Sequence, residues 1–270
     1  MGVVNVTPDS FSDGGRFDNE AAAISHGLRL IAQGADLLDI GGESTRPGAA
    51  PIDEAEEIAR VVPVIAGLRA RSAVPISIDT MKPGVARAAV SAGATIWNDV
   101  TALSWSPASL PEAAELGCEV VLMHMRGQPP TMQDDPSYGD VVEEVAGYLA
   151  ARAAAAIAAG VAPEAIWLDP GIGFGKRLEH NLALIAHLDR LVGLGHRVLL
   201  GASRKGFIRA IDPDAVAPEA RLAGSLAAAL AAVAAGVAAV RVHDVRETVQ
   251  ALRLQAAIAR ARGPAPPRRT

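Results

Sequence analysis

Short apolar runs, each closed by a polar and often glycine-containing cluster, recur along the whole of this 270-residue chain. Gly2–Val6, Leu37–Ile40, Pro75–Ile78, Thr95–Trp97, Val120–Met123, Ile166–Leu168, Val198–Leu200 and Val240–Val242 read as strands. They lack polar alternation, as expected of parallel strands covered on both faces. Between them apolar residues fall at helical spacing: Ile24, Leu28 and Ile31 in Ala21–Gln33, and Ile58, Val61, Val62, Ile65 and Leu68 in Ala55–Arg69. Val141–Ala158, Asn181–Leu194, Ala220–Ala235 and Arg246–Arg260 keep the same period. Gly34, Gly93, Gly117, Gly160 and Gly195 mark helix ends shortly before strands.

This repeat predicts an α/β fold, a single (β/α)8 TIM barrel over residues 1–262, with the Pro- and Arg-rich residues 263–270 as a disordered tail. A doubly wound open sheet would gather its ligand groups at one switch point. Here polar clusters follow all eight runs, which favours the closed barrel. A barrel builds its active site at the C-terminal ends of its strands, so the clusters also give the site its address.

Composition narrows the class. Hydrophobic residues make up 50% of the chain and aromatics 3%, so Ala, Val, Leu and Ile must build the core. A formal net charge of −5 argues against long-range steering of nucleic acid and leaves room for a local basic pocket for an anion. Cys118 is the only cysteine, which excludes an intrachain disulfide, and its apolar setting reads as a buried, unreactive thiol. Residues 1–15 carry Asp and Pro and lack the apolar core of a signal peptide. The most apolar stretch, Leu222–Val242, is flanked closely by Arg221, Arg241 and His243 and reads as a barrel helix with its next strand, not a membrane span. A cytoplasmic protein is the expectation.

The clusters hold most of the residues suited to chemistry. Asn5 ends the first run, where its amide can take a hard cation, reach a phosphate, or simply shape a turn. The long first loop adds Asp9, Ser10, Ser12 and Asp13. Gly41–Gly48 combines the Gly41-Gly42 pair with Ser44, Thr45, Arg46 and Pro47, a pattern suited to a phosphate-handling loop. Asp79 and Asp169 end apolar runs, where a carboxylate is costly unless something donates to it; each could meet a planar N–H/NH2 edge or cap a helix. Asn98 can donate and accept at once, which suits a mixed heterocycle edge. Met123 reads as a pocket wall, and His124 as a structural or wall residue with no second ligand at metal spacing. Ser203, Arg204 and Lys205 follow the seventh run, and Arg241 and His243, two apart, share one side of the eighth. In barrels this pair of strand ends often holds a phosphate.

Taken in order, Asn5–Gly15, Gly41–Gly48, Ile78–Thr80, Asn98–Asp99, Leu122–Met125, Leu168–Lys176, Ser203–Lys205 and Arg241–Val245 resemble the dihydropteroate synthase family, from Met1 to about residue 260. The resemblance implies a (β/α)8 transferase of folate biosynthesis. It would join 6-hydroxymethyl-7,8-dihydropterin diphosphate to p-aminobenzoate, release pyrophosphate, and bind sulfonamides as p-aminobenzoate mimics. It assigns the pterin N3–H and 2-amino group to Asp169, the other ring edge to Asn98 and Asp79, and O4/N5 to Lys205. Arg241, His243 and Asn5 would take the diphosphate, Asn5 through Mg²⁺. Thr45 and Arg46 would close over the site, with Asp79, Lys205 and Arg46 as catalytic residues. Phe174, Pro47 and Ser203 would wall the p-aminobenzoate, and Met123 and Arg204 would line the pterin pocket. A homodimer through the later helices is also implied. Family members usually carry residues before the position of Met1 that cap the lower end of the barrel; strand one here begins almost at once, so that cap is expected to be missing or to lie upstream of this start. Two readings stand beside the synthase: a corrinoid-dependent pterin methyltransferase, and a non-catalytic pterin-binding paralogue.

Overall fold

The computed structural model of the chain describes residues 1–7, 16–43, 51–127, 132–134 and 136–261. The expected tail at 263–270, the first-loop residues Asp9, Ser10, Ser12 and Asp13, and Thr45, Arg46 and Pro47 lie outside the described residues.

Among the described residues eight parallel strands pair in chain order. They are β1 (Gly2–Asn5), β2 (Leu38–Gly41), β3 (Ile76–Asp79), β4 (Ile96–Asp99), β5 (Glu119–Met123), β6 (Ile166–Asp169), β7 (Arg197–Leu200) and β8 (Ala239–Val240). A parallel bridge between Gly2 and Val242 closes the ring, with Val242 N–H donating to Met1 O at 2.9 Å and Val3 N–H to Val242 O at 3.2 Å. The expected TIM barrel is therefore the observed one.

Helices α1 (Arg16–Ala32), α2 (Glu54–Arg69), α3 (Pro83–Ser91), α4 (Ser109–Leu116) and α5 (Val141–Ala159) cover the first half of the ring. The second half carries α6 (Leu178–Ala186), α7 (Leu188–Val192), α8 (Gly206–Ile211), α9 (Leu222–Ala234) and α10 (Val245–Ala261). Asp53 caps α2 by accepting from Glu56 N–H, and acidic residues fill the first turn where the helix dipole favours them. All five glycines expected at helix ends have positive φ. The single helix expected over Asn181–Leu194 is instead broken at His187, whose backbone leaves the helical region; the break lets Leu184, Leu188 and Leu191 all reach the core. Short α3 and α4 carry too few turns for their period to stand out in the sequence.

The strands do alternate once inward and outward positions are separated. Val4, Leu38, Ile40, Ile76, Ile78, Trp97, Val120, Leu122, Ile166, Leu168, Val198 and Leu200 join the main core, packed with helix residues such as Leu30, Ile65, Leu68 and Leu149. Leu37, Ile96, Val121 and Leu199 form a second, separate cluster with Met1, Trp167 and Ala239. These positions lie one residue out of step with the first set, so they fill the barrel interior at its lower end. Two residues further along each strand the same inward face reaches Asp39, Asn98, Met123, Asp169, Gly201 and Arg241. The interior thus changes from an apolar plug to a polar layer within one step of the pleat.

Candidate active site

Strand register assembles that polar layer. Asn5 pairs with Gly41, Gly41 with Asp79, and Asp79 with Asn98, so these residues stand in one row across four strands. On the other side Met123 pairs with Asp169. Asp79, Asn98 and Asp169 lie inside the strands, one residue beyond the ends expected from apolarity, because the ladder continues through their backbones, whereas Arg241, expected within the eighth strand, follows directly after β8. Gly41 and Gly201 keep the centre open. A Cβ at Gly41 would stand 3.8 Å from Asp79 Oδ2 and 3.9 Å from Asn5 Oδ1, and one at Gly201 3.8 Å from Asp169 Oδ2 and 3.9 Å from Arg241 Cβ.

Arg241 reaches across this layer. Its Nε donates to Asp39 Oδ2 at 2.6 Å and its Nη2 to Asp79 Oδ2 at 2.9 Å. Both carboxylates favour the charged guanidinium and raise its pKa further against the effect of burial. Asp79 is pushed up to about 7, first by burial and then by the Asp39 charge, with Arg241 pulling the other way. Asn98 is buried and donates from Nδ2 toward both Asp39 oxygens at 3.3 and 3.4 Å. Asp169 is also buried and accepts Gly171 N–H at 2.7 Å; burial raises its pKa, opposed by that bond and by Lys205, Arg241 and Lys176.

Lys205 precedes α8, its Nζ donating to Ile172 O and lying 4.2 Å above the Phe174 ring. Burial lowers its pKa to about 8, with Asp169 acting to raise it. Ser203 Oγ meets His243, accepting from its backbone N–H at 3.2 Å and lying 3.1 Å from Nδ1. Arg204 takes another direction. It has φ 58, and its guanidinium pairs with Asp244 and Glu219 rather than with any residue of the polar layer.

The β6–α6 loop is pinned from below. A Cβ at Gly171 would come 2.0 Å from His124 O, and one at Gly175 2.2 Å from Arg126 O, so only glycine lets this loop lie flush on the β5 loop. Lys176 is buried and its Nζ meets Gly171 O at 2.9 Å, Phe174 O at 3.0 Å, His124 O at 3.3 Å and His124 Nδ1 at 3.0 Å. Burial lowers Lys176 to about 7; burial and the lysine charge lower His124 to about 3. His124 is thus a neutral structural partner, as its sequence setting suggests.

Three residues matter here that the sequence leaves without a role. Asp39 and Lys176 are the first two. The third is Lys82, which binds Glu43 Oε2 at 2.9 Å and buried Glu57 Oε2 at 2.6 Å, while Glu43 Oε1 accepts Ile52 N–H at 3.1 Å. Glu43 therefore ties together the two ends of the segment that contains Thr45 and Arg46. Only the inward phase of β2 could have flagged Asp39; nothing local flags the other two. Asp99, next to Asn98, faces outward and accepts Thr101 N–H, Thr101 Oγ1–H and Leu103 N–H, shaping the turn after β4.

For a metal, the described residues contain no group of three or more His, Cys, Asp or Glu able to hold one. Mg²⁺ commonly takes only one or two protein oxygens, the rest coming from water and phosphate, and Asn5 Oδ1 at the mouth offers one such oxygen. Chemically the layer presents acceptors (Asp79, Asn98, Asp169) to a planar donor edge, with Arg241 and Lys205 beside them for negative charge.

Comparison with known proteins gives the family. A family model described as pterin binding enzyme matches residues 1–243. The dihydropteroate synthase of Escherichia coli (strain K12) is 47% identical over 254 residues, 94% of this chain and 89% of that one. Among solved structures, Xanthomonas albilineans dihydropteroate synthase with 4-aminobenzoic acid superposes with a TM-score of 0.90 at 52% identity, covering 96% of this chain and 92% of the other. A Yersinia pestis dihydropteroate synthase with a sulfonamide drug complex gives 0.90 at 45% identity, covering 96% and 94%.

Proposed function

Because the chain belongs to the dihydropteroate synthase family of pterin-binding enzymes, we propose that its polar layer binds 6-hydroxymethyl-7,8-dihydropterin diphosphate and transfers the pterin-methyl group to p-aminobenzoate. It is a transferase of folate biosynthesis. The observation that carries the site reading is the convergence of three acceptors, Asp79, Asn98 and Asp169, with Arg241 and Lys205 around one open centre.

In this reading Asp169 accepts the ring N3–H and 2-amino protons, Asn98 and Asp79 take the opposite edge, and Lys205 donates toward O4/N5. Arg241 and His243 hold the diphosphate. Asn5 would hold a Mg²⁺ carried by the diphosphate, which when bound screens the leaving group's charge. The CH2–O bond breaks first and its electron pair leaves on pyrophosphate. The positive charge on the pterin-methyl unit is stabilised by Asp79 at the N8 side. The arylamine nitrogen then attacks the CH2 carbon, and its proton passes afterwards to the departing pyrophosphate or to solvent water. No strong general base is required, because an arylamine is already nucleophilic. Phe174, Pro47 and Ser203 would wall the arylamine, Met123 the pterin, and Thr45 and Arg46 would close the site against water, while Arg204, expected to line the pterin, is held by Asp244 and Glu219 instead. Sulfonamides would compete at the arylamine wall, as the Yersinia pestis complex suggests. No helix among the described residues is long and apolar enough to cross a membrane. A cytoplasmic homodimer is the corresponding whole-protein reading.

The test supplies pterin diphosphate, p-aminobenzoate and Mg²⁺ and follows pyrophosphate and 7,8-dihydropteroate. Equimolar formation of both is expected; folded protein that forms neither rejects the reading.

A further inference from the structure

Asp39 sits in the interior face of β2 and is completely buried. A carboxylate so placed is costly unless charged or polar donors meet it. Its donors come from the two halves of the site: Arg241 Nε at 2.6 Å from the anion side, and Asn98 Nδ2 at 3.3 and 3.4 Å from the ring side. Each contact has a directional consequence. With its NH2 turned to Asp39, Asn98 leaves its Oδ1 for the cavity, so the ring edge meets acceptors only. With its Nε edge held by Asp39, Arg241 presents its Nη edge to Asp79, at 2.9 Å, where an arriving diphosphate can replace the carboxylate.

We propose that Asp39 is a positioning residue that bridges the two subsites, fixing the Asn98 amide for the pterin and the Arg241 guanidinium for the diphosphate. Asp39 remains bonded to Arg241 through turnover, while the Asp79–Arg241 contact is the one exchanged. The inference rests on the synthase reading for the names of the ligands, and on the contacts alone for the bridge.

The test uses Asp39→Asn, nearly isosteric, with folding checked by circular dichroism. Wild-type turnover tests the synthase reading; ligand affinities in the variant test the bridge. Calorimetry with pyrophosphate plus Mg²⁺, and separately with 6-hydroxymethyl-7,8-dihydropterin, should show both affinities falling on the order of tenfold. The KM for p-aminobenzoate should change by less than about twofold, since no Asp39 contact reaches the Phe174 wall. Loss of only one of the two affinities, or of neither, overturns the bridge.

A pH profile separates positioning from general damage. Asp79 is faced by Asp39 from β2, Arg241 beyond β8 and Lys205 beyond β7, and the outward Asp99 of β4 and Glu57 of α2 add negative charge from behind the strands. Asp39 holds its pKa up, so removing that charge lowers it. The acid limb of kcat/KM, which reports the free enzyme, should move toward lower pH by on the order of half a unit or more. A uniform loss at every pH with the limb in place overturns the proposal. If the variant does not fold, the wild type still decides. Its Arg241 Nε–H, identified by comparison with Arg241→Lys, should exchange slowly with solvent, and rapid exchange overturns the anchor.

Discussion

In the proposed site one side chain, Asp169, carries the reading of the ring edge. Its Oδ1 is already committed to Gly171 N–H at 2.7 Å, so Oδ2, on the side toward Gly201, is the oxygen left to read a ligand. Asp169→Asn would place a donor against ring N–H groups in a buried site. The expected cost is about 1–3 kcal/mol in pterin binding, a loss of roughly fivefold to 150-fold by calorimetry. Unchanged affinity would mean that Asp169 does not face the ring. Asp79, Asn98 and Asp169 were legible in the sequence because each ends an apolar run, where a polar group is out of place unless it has work. Asp39 has the same chemistry but lies between Leu38 and Ile40, and only the phase of the strand shows that it points inward. Reading the clusters as loops hid that phase, since Gly41, Asp79, Asn98 and Asp169 belong to the ladder itself.

At the scale of an element, the loop between β6 and α6 carries Phe174 and meets Lys205 through Ile172 O, so its shape sets one wall of the site. Lys176 holds that shape through three carbonyls and one imidazole. Replacing it by Met keeps the length and leaves the carbonyls unpaired, with an expected loss on the order of 3 kcal/mol in stability. The pH dependence has a definite sign. The ordinary lysine value is 10.5 and burial lowers Lys176 to about 7 in the fold. Between those values the unfolded chain binds more protons than the native one, so this residue's contribution to stability rises with pH. Denaturant midpoints of wild type and Lys176→Met should therefore diverge from pH 7 toward pH 9.5; convergence would show that the buried amine is not the titrating group. The sequence displayed this loop as a glycine-rich signature, and two of the Lys176 partners, Gly171 O and Phe174 O, are local; the other two, the His124 carbonyl and imidazole, come from the β5 loop some fifty residues earlier, and no local pattern could supply them.

For the whole molecule, eight repeated units in the sequence were enough to imply closure, although β8 contributes only Ala239 and Val240 and the seam rests on Gly2 and Val242. The outer surface was less legible, because helical period marks a buried face but does not say whether the opposite face is covered by another chain. Leu254 and Ile258, four apart on α10, are 62% and 49% exposed, and Val233 on neighbouring α9 is 40% exposed. Gln255 Nε2 donates to Leu230 O, holding the two helices together at this patch. An apolar patch on paired late helices is suited to a second copy of the chain, in keeping with the homodimer expected from the family. Each barrel helix runs back toward the strand N-termini, so the end of α10 lies away from the mouth, and Leu252 already borders the lower cavity beside Met1 and Trp167. Sedimentation equilibrium at micromolar concentration should give a dimer for wild type and a shift toward monomer for Leu254→Glu with Ile258→Glu. Turnover per chain should stay within about twofold, because every residue of the polar layer belongs to one barrel. A double variant that remains dimeric places the interface elsewhere, and one that loses turnover on dissociation would mean that the partner contributes to the site.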